Sequence, residues 1–407
     1  MIKTSSDGKA FDPNFIYTEN QVREMWKRSY SEQIGIAQAK CIEAITRTEG
    51  KIAVSFSGGK DSAVVLYLMA EMWSISKHKK EPLKVFFADT SNEFTCVRNY
   101  ISFYLDYIEK KFDITTDFVS VRGEKSYIQT TDEIGFPFIS KKVARMVHDC
   151  RRDMEKLHTS YKDIKKYLPS HYTGKYYDEM VGSADVLRRM GFSDGAILYL
   201  TKIRSDNNIG KRFLPIKYRP MIDFEERFSD KCCERLKKEP IKMAQKSMGD
   251  LLPVTGEMAC DSADRLESYR KTGCNYFEGK QRKSKPIGPV TEQTILKFIY
   301  DEKIPVLPVY GEISYNPETN TYSFSGEQRT GCKLCGFGIA FDPDRYERLY
   351  KIEPKIVQFA FTSRENGGMG YRQICEKLNS ECGMKIQIPD CEEGFYKKRA
   401  LAHKERK

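Results

Sequence analysis

The chain has 407 residues, of which 40% are hydrophobic and 12% aromatic, and it carries a formal net charge of +11. This length and composition allow a large buried core and predict a soluble globular protein with more than one lobe. No run approaches the roughly 18 consecutive apolar residues of a membrane span, and the first eight residues lack an apolar targeting segment, so we expect a cytoplasmic protein. Twelve cysteines are too few for a secreted disulfide scaffold of this length.

Helices and strands are predicted to alternate over the first third of the chain. Apolar residues recur at helical spacing from 19 to 46, which predicts one helix before the first strand. The predicted strands that follow are 52–56, 84–88 and 116–121, and the predicted helices between them are 62–76 and 95–112. The alternation is typical of an α/β protein with a doubly wound parallel sheet, in which ligands bind beyond the carboxyl ends of the strands.

A glycine-rich turn follows the first predicted strand. Residues 57–62 read Ser-Gly-Gly-Lys-Asp-Ser, and free backbone N–H groups at a helix start attract a phosphate. The spacing differs from that of the Walker A loop, and a plain polar turn is the alternative. The pattern resembles the PP-loop of ATP pyrophosphatases. The next strand ends in Asp89-Thr90 and precedes Glu93, which is similar to the phosphoadenylylsulfate reductase family.

A basic, tyrosine-rich segment from about 130 to 218 is predicted to be largely helical and to form an insertion or cap over the nucleotide-binding edge. Between Lys141 and Pro220 there are eighteen Lys or Arg residues against nine Asp or Glu residues. Such a segment attracts nucleic acid or lines a nucleotide pocket, and a solvated helical face is the alternative. The sheet is predicted to resume at 251–256, and 357–407 is predicted to be a helical tail.

Two pairs of cysteines have spacings that favour a metal site. Cys232 and Cys233 are adjacent, and Cys332 and Cys335 follow about a hundred residues later. Four thiolates suit tetrahedral zinc or a [4Fe-4S] cluster, and buried thiols are the structural alternative. Adjacent ligands are unusual for zinc, and the pattern resembles the [4Fe-4S] signature of the adenylylsulfate reductase branch. That branch also has a lysine at the position of Lys237.

The resemblance covers about residues 51–338 and implies the doubly wound sheet of the adenine nucleotide alpha-hydrolase type. The expected domains are an N-terminal helical segment (1–48), a PP-loop nucleotide-binding domain (49–129 and 245–310), a basic helical insertion ending in the Cys-Cys motif (130–244), and a CxxC metal-binding region with a helical tail (311–407).

The resemblance also implies the residues of the site. Those expected to bind ATP or an adenylyl nucleotide are Ser57, Gly58, Gly59, Lys60, Asp61, Ser62, Asp89, Thr255 and Gly256. The expected catalytic residues are Lys60, Asp61, Lys237 and Cys382, and Asp61 or Asp89 is the expected Mg²⁺ ligand. The tail sequence Glu-Cys-Gly-Met-Lys around Cys382 resembles the nucleophile of the reductases but lacks their histidine. We favour a helix C-terminus, which explains this sequence without chemistry.

Two activities are known in the resembled family. One branch reduces adenylylsulfate or its 3'-phosphate to sulfite, and the other activates a substrate with ATP and installs sulfur, as in DNA phosphorothioation and tRNA thiolation. After Thr255-Gly256 the reductases have basic residues, whereas this chain continues Glu-Met-Ala-Cys. Together with the basic insertion, this favours adenylation-dependent sulfur transfer by a PP-loop enzyme with a [4Fe-4S] cluster.

Two alternatives stay open at this point. One is an assimilatory sulfonucleotide reductase with Cys382 as nucleophile, and the other is a non-catalytic nucleotide or nucleic-acid sensor with structural zinc. The expected partners are an adenine nucleotide, a nucleic-acid substrate bound through the basic insertion, and a sulfur donor protein. No membrane partner is expected.

Overall fold

A computed structural model describes residues 15–249, 251–279 and 282–396 of the chain. The first eight residues, which are predicted to lack a targeting segment, lie outside the described residues, as does the end of the predicted helical tail. Within the described ranges, no helix is both long enough and apolar enough to cross a membrane.

Fifteen α-helices, numbered in chain order, lie in the described part of the chain. They are α1 (Glu19–Trp26), α2 (Tyr30–Arg47), α3 (Lys60–Ser74), α4 (Val97–Phe112), α5 (Tyr127–Ile134), α6 (Lys141–Lys156), α7 (Tyr161–Ile164), α8 (Tyr177–Met190), α9 (Asp194–Thr201), α10 (Glu239–Ser247), α11 (Ala263–Thr272), α12 (Glu292–Asp301), α13 (Arg345–Ile352), α14 (Pro354–Phe361) and α15 (Tyr371–Cys382). A π-helix, Glu234–Lys238, precedes α10, and short 3₁₀ helices lie at Lys165–Tyr167, Gly174–Tyr176, Ile216–Asp223, Ala259–Asp261 and Pro308–Tyr310.

The strands are β1 (Ile52–Ser55), β2 (Leu83–Asp89), β3 (Thr116–Arg122), β4 (Phe138–Ile139), β5 (Leu252–Val254), β6 (Asn275–Tyr276), β7 (Lys283–Ser284), β8 (Ile313–Asn316), β9 (Thr321–Phe324) and β10 (Gly336–Phe337). The chain divides into two compact units. Unit 1 contains the chain up to Gly123 together with Leu236–Cys332, and unit 2 contains Glu124–Arg235 and the chain from Lys333 onward.

Unit 1 is built on a six-stranded sheet with the strand order β3-β2-β1-β5-β7-β6. β1 pairs in parallel with β2 through Val54 and Val85, and in parallel with β5 through Val54 and Val254. β6 is antiparallel to β7. The mostly parallel sheet confirms the predicted α/β class. Because the chain leaves β1 toward β2 on one side and returns as β5 on the other, a crevice is expected beyond the carboxyl ends of β1 and β5.

Helices cover both faces of this sheet. On one face, Ala53 and Phe86 form a buried cluster to which Ala244 and Met248, in and just after α10, contribute. On the other, α3 is buried along most of its length, as expected of a helix that is apolar on all sides. The Tyr104 hydroxyl of α4 donates to the Ala63 carbonyl of α3 at 2.7 Å. This bond ties the first turn of α3 to α4.

The prediction of a single helix from 19 to 46 was wrong. The chain forms α1 and α2, which are separated at residues 27–29. Ser29 caps α2, and its backbone N–H donates to Glu32 Oε2 at 2.9 Å in a capping box. Because the N-cap residue has extended backbone angles, a continuous helix cannot pass through it. The apolar spacing continues across the break and conceals it.

Unit 2 is largely helical in its first segment, as predicted, and contains α5 to α9. Its core is aromatic: Phe138 packs edge-on against Tyr371 at a ring-centroid distance of 5.1 Å, and Phe136 packs against the same tyrosine at 5.6 Å. After α15 the described residues 383–396 contain no helix, unlike the predicted helical tail. Gly383 ends α15 in the left-handed conformation with φ of 62°, which terminates helices and favours glycine.

Candidate nucleotide-binding site

The glycine-rich loop of unit 1 links β1 to α3. Gly58 has a φ of +77°, a conformation that glycine adopts without strain, and Gly59 is the extended N-cap of α3. Ser62 Oγ donates to the Gly59 carbonyl at 2.8 Å and accepts the Ser57 N–H at 3.2 Å. The two serine hydroxyl oxygens are 3.1 Å apart. The loop is thereby closed on itself, with the positive end of the α3 dipole at its mouth.

Lys60 is the first residue of α3, and only 4% of it is exposed. Its Nζ lies 3.4 Å from Asp61 Oδ1 and 3.2 Å from Glu292 Oε1. Burial would lower the pKa of Lys60, but the charges of the two carboxylates outweigh it and raise that pKa above its ordinary value. The lysine is therefore a positive charge held beside the loop.

The carboxyl group of Asp61 is partly buried, with 28% of its side chain exposed. Burial raises its pKa, Lys60 opposes the shift, and the negative charge of Asp261 adds to it. Asp261 forms ion pairs with Arg265, four residues later, and with Arg329 at 3.8 Å. A further positive charge near Asp61 would lower the free energy needed to ionise its carboxyl group.

The loop also contacts a distant segment that was not predicted from the sequence. The backbone N–H of Lys60 donates to the Tyr310 hydroxyl oxygen at 3.0 Å, and that hydroxyl shares a second hydrogen bond with Thr330 Oγ1 at 2.8 Å. Burial raises the pKa of Tyr310, so it acts as a neutral phenol. Glu292, which pairs with Lys60, was missed too. No local pattern marks these residues, because their partners are hundreds of positions away.

Thr255 and Gly256 lie beside the loop, at the end of β5. A Cβ on Gly256 would be 3.0 Å from the carbonyl carbon of Asp61 and 3.1 Å from the Ser62 nitrogen. Glycine is therefore needed for the close approach of the two backbones. Thr255 Oγ1 is buried and has no hydrogen-bond partner among the residues that the structure describes. Buried hydroxyls are nearly always bonded, so this atom is suited to a ligand.

A pocket of about 140 Å³ opens next to the loop in unit 1. Ser57 lines it from the loop, Glu93 and Val97 line it from beyond β2, and Thr330 lines it from the distant segment. Lys237 also lines this pocket. The structure thus brings the predicted residues Ser57 and Lys237 to one cavity.

Asp89 lies at the end of β2 and is fully engaged by neighbouring groups. Its Oδ2 is 2.6 Å from Arg98 NH2, and its Oδ1 accepts the Ser91 N–H at 2.9 Å. The following Thr90 Oγ1 donates to Glu93 Oε1 at 2.5 Å and lies 3.7 Å from Cys332 Sγ. One of the four predicted metal-ligating thiols is therefore next to the end of β2.

The other three predicted cysteine ligands belong to unit 2. Cys232 and Cys335 both act electrostatically on the Tyr371 hydroxyl, whose pKa is raised mainly by burial. That hydroxyl donates to the Leu334 carbonyl at 2.9 Å and so anchors the CxxC loop. Across residues 15–249, 251–279 and 282–396, no three His, Cys, Asp or Glu side chains form a group that could hold a metal ion. The iron–sulfur site therefore stays a prediction.

Cys382 is the last residue of α15 and is 2% exposed. Burial raises the pKa of its thiol to about 12. A thiol in this position is protonated at neutral pH and shielded from reagents, unlike a reactive cysteine. The alternative to a catalytic role was a helix C-terminus, and Cys382 does end a helix and precede a left-handed glycine. The helix end was predicted at 377–379, whereas α15 continues to Cys382.

Comparisons with known proteins find a similarity for part of the chain. Residues 51–175 match the model of the phosphoadenosine phosphosulfate reductase domain. Among solved structures, a phosphate complex of phosphoadenylyl-sulfate (PAPS) reductase from Candida auris is similar, with 12% identity over 73% of this chain and 95% of that chain, at a TM-score of 0.30. None of the curated proteins matches the chain. The domain match confirms the predicted resemblance to the PAPS reductase family and the PP-loop class, and it supports a nucleotide-binding enzyme.

Proposed function

We propose that the chain is a PP-loop enzyme that binds ATP or another adenylyl nucleotide and carries out adenylation-dependent sulfur transfer. The observation that carries the proposal is the closed loop from Ser57 to Ser62 with the buried charge of Lys60 beside it. The loop lies where the strand order reverses, which is where nucleotides bind to doubly wound sheets.

The pyrophosphate part of the nucleotide would bind at the start of α3. Backbone N–H groups of Gly58 and Gly59 are its proposed donors, and the dipole of α3 adds to the attraction. The hydroxyls of Ser57 and Ser62 would also donate to it after turning away from their bonds within the loop. Lys60 would offset the charge of the phosphates. Because the lysine is already held by two carboxylates, little ordering is required when the nucleotide arrives.

The first chemical step would be attack by an acceptor oxygen on the α-phosphorus of ATP. A bond forms between phosphorus and the acceptor oxygen, the bond to the pyrophosphate oxygen breaks, and pyrophosphate leaves with the electron pair. The acceptor proton passes to solvent. Lys60 and the loop N–H groups stabilise the charge that develops on the leaving group. A hydrosulfide group from a sulfur donor then displaces AMP, forming a C–S bond as the C–O bond breaks.

Asp61 is the better candidate of the two predicted Mg²⁺ ligands. Asp89 is occupied by Arg98 and by the Ser91 N–H. Asp61 lies partly buried near the second carboxylate of Asp261, and a divalent cation held by Asp61 would offset this repulsion.

The thiolates of Cys232, Cys233, Cys332 and Cys335 are the proposed ligands of a [4Fe-4S] cluster, with zinc as the alternative. A bound cluster would supply a redox-active or sulfur-holding group. Support for it comes from the all-sulfur donor set of the two cysteine pairs. Lys237 places a further positive charge in the loop pocket for the nucleotide.

The second candidate function is reduction of a sulfonucleotide, which the domain match fits equally well. This reaction requires an accessible nucleophilic thiol, and Cys382 is buried with a raised pKa. The reductases also have basic residues where this chain has Glu257, whose carboxylate is paired with Lys283 at 2.9 Å. Both observations favour sulfur transfer. A nucleotide or nucleic-acid sensor with structural zinc is the third candidate.

Anaerobic purification followed by iron, sulfide and zinc analysis tests the cofactor, and assays of ATP and sulfonucleotides in parallel test the reaction. We expect about four irons and four sulfides per chain, with a cubane absorption band, and release of pyrophosphate from ATP. One zinc and no iron would contradict the cluster. Sulfite production without pyrophosphate would identify a reductase.

Matched cysteine variants locate the cluster. Cys335→Ser is expected to remove the iron, because a cubane needs all its thiolate ligands. Cys391→Ser, in a buried cysteine outside the predicted ligand set, is expected to retain it. Equal iron content in the two variants would contradict the proposed ligands.

A further inference from the structure

One surface of unit 2 exposes lysines and aromatic rings together. The segment from Lys165 to Tyr177, between α7 and α8, reads Lys-Lys-Tyr-Leu-Pro-Ser-His-Tyr-Thr-Gly-Lys-Tyr-Tyr. Its leucine and proline are buried. We name the basic-aromatic surface by its residues, which are Lys165, Lys166, Tyr167, His171, Lys175, Tyr176, Tyr177, Lys211 and Arg212.

Buried polar groups hold this segment in place although it has little regular structure. Arg219 is 3% exposed, and its Nη1 donates to the Pro169 carbonyl at 2.9 Å. Its Nη2 donates to the Tyr172 hydroxyl at 2.7 Å, and that hydroxyl donates to the Leu200 carbonyl at 3.0 Å. The segment is therefore a fixed platform rather than a loose loop, which reduces the entropy lost when a ligand binds.

A neighbouring loop adds two cations to the same surface. The Tyr177 hydroxyl donates to the Asn207 carbonyl at 2.9 Å, and Lys202 Nζ donates to the Tyr172 carbonyl at 3.1 Å. These bonds join the loop after α9 to the segment. Lys211 and Arg212, in the same loop region, are exposed.

The cations of this surface outnumber the acids near them, because residues 161–179 and 202–212 contain eight Lys or Arg and four Asp or Glu. Within the described part of the chain, no ion pair with an N–O distance of 4.0 Å or less involves Lys165, Lys166, Lys175, Lys211 or Arg212. Among the acids close to them in sequence, Asp178 is exposed and the other three have partners. Asp163 accepts the Ser160 N–H, Glu179 accepts the Ser170 N–H, and Asp206 pairs with Arg204. The surface therefore presents a field that attracts a polyanion.

The aromatic rings are arranged for stacking. The rings of His171 and Tyr176 stack with centroids 4.4 Å apart and an interplanar angle of 15°, and His171 is exposed. Tyr167 is 41% exposed, with the Lys166 ammonium 4.9 Å from its ring centroid. Flat rings beside cations are the combination by which proteins bind unpaired bases and their phosphates, because every base has a face that stacks.

We propose that the basic-aromatic surface binds single-stranded nucleic acid. A duplex hides the faces of its bases, so it would use the cations but not the rings. An anionic lipid surface would attract the same cations and is therefore tested directly. The contribution of the rings separates a single strand from a duplex. The binding is separate from the chemistry at the loop of unit 1 and is measured without a nucleotide.

Fluorescence anisotropy of the full chain with a labelled single strand of about 16 nucleotides, near the upper site size of one single-strand-binding fold, tests the proposal. A duplex of equal length and vesicles of anionic lipid are tested in parallel. We expect the single strand to bind most tightly. Tyr167→Ala should weaken that binding about tenfold, and Tyr167→Phe should retain it, because stacking needs the ring and not the hydroxyl.

A charge-matched pair tests the cations. Lys165→Ala/Lys166→Ala should weaken binding and reduce the log–log salt slope by about 1.4, or about 0.7 for each phosphate contact. Lys77→Ala/Lys80→Ala removes two exposed lysines from a turn of unit 1 and should change neither quantity. Absence of binding, equal loss in the two double variants, or tighter binding of duplex or vesicles would overturn the proposal.

Discussion

The Tyr310 hydroxyl oxygen accepts the backbone N–H of Lys60 at 3.0 Å, across a sequence separation of 250 residues. Through this bond, the segment that contains Tyr310 holds the backbone of the first turn of α3. The proposed function requires the loop to bind phosphate, and its N–H groups must then be held in one orientation, since reorganisation during the reaction lowers the stabilisation of charge. Tyr310 is therefore a positioning residue for the loop.

Tyr310→Phe removes the acceptor of the Lys60 N–H and the partner of Thr330. Loss of a buried hydrogen-bond partner costs about 1–3 kcal/mol, so the free energy of unfolding should fall by that amount in urea titrations. Tyr300→Phe, in a 45% exposed tyrosine, should change it by less than about 0.5 kcal/mol. Equal effects of the two changes would show that the bond does not stabilise the loop.

Gly256→Ala tests the contact between β5 and the loop. The added Cβ would be 3.0 Å from the Asp61 carbonyl carbon, so the loop backbone would have to shift, and about 1–3 kcal/mol of stability should be lost, together with nucleotide affinity. Gly35→Ala is the control, because a Cβ there meets no atom within 4 Å inside α2. That change should stabilise by about 0.5–1 kcal/mol. Urea unfolding and ATP titration measure both effects.

Lys285 gives a prediction about pH. Burial lowers its pKa from 10.5 to about 8, and the charge of Lys283 adds to the shift. Between pH 8 and 10.5 the amine of Lys285 is protonated in the unfolded chain but not in the folded chain. The contribution of Lys285 to stability therefore rises with pH across that window. Below pH 8 its destabilising effect is fully present.

Lys285→Met should therefore be more stable than the native chain at pH 7, and the difference should shrink as the pH approaches 10.5. The measurement is urea unfolding of both proteins at several pH values, because the difference between them removes the titration of other groups. A difference that is constant with pH would show that Lys285 keeps its ordinary pKa.

Cys382 distinguishes sulfur transfer from sulfonucleotide reduction. Cys382→Ala should leave ATP-dependent turnover within about twofold of the native value, because the buried thiol is not part of the proposed site. Cys375→Ala, in the buried cysteine two helical turns earlier in α15, should behave in the same way. Abolition of turnover by Cys382→Ala alone, with intact folding by circular dichroism, would establish a catalytic thiol.

The strands around the loop were predictable because their signals are local. Apolar runs bounded by turns placed β1, β2 and β3 to within about two residues, and the loop sequence predicted the start of a helix. The contact of Gly256 with Asp61 agrees with the predicted grouping of these residues, since both follow adjacent parallel strands.

The rest of the site depends on tertiary contacts that leave no mark in the sequence. Glu292 and Thr330 are ordinary polar residues until the fold brings them to Lys60 and Tyr310. The break between α1 and α2 was hidden for a different reason: the Ser29 capping box lies within a continuous apolar period. Periodicity identifies a buried face but not the points at which a helix stops.

Isothermal titration of ATP with magnesium into the native chain, Lys60→Ala and Lys84→Ala is the most direct test of nucleotide binding at the loop. Lys84 forms a partly exposed ion pair with Asp117 and serves as the control. A hydrogen bond to a charged group contributes about 1.5–3 kcal/mol, so Lys60→Ala should weaken ATP binding about tenfold or more while Lys84→Ala leaves it unchanged. Equal binding by all three proteins, or no binding by the native chain, would contradict a nucleotide site at Ser57–Ser62.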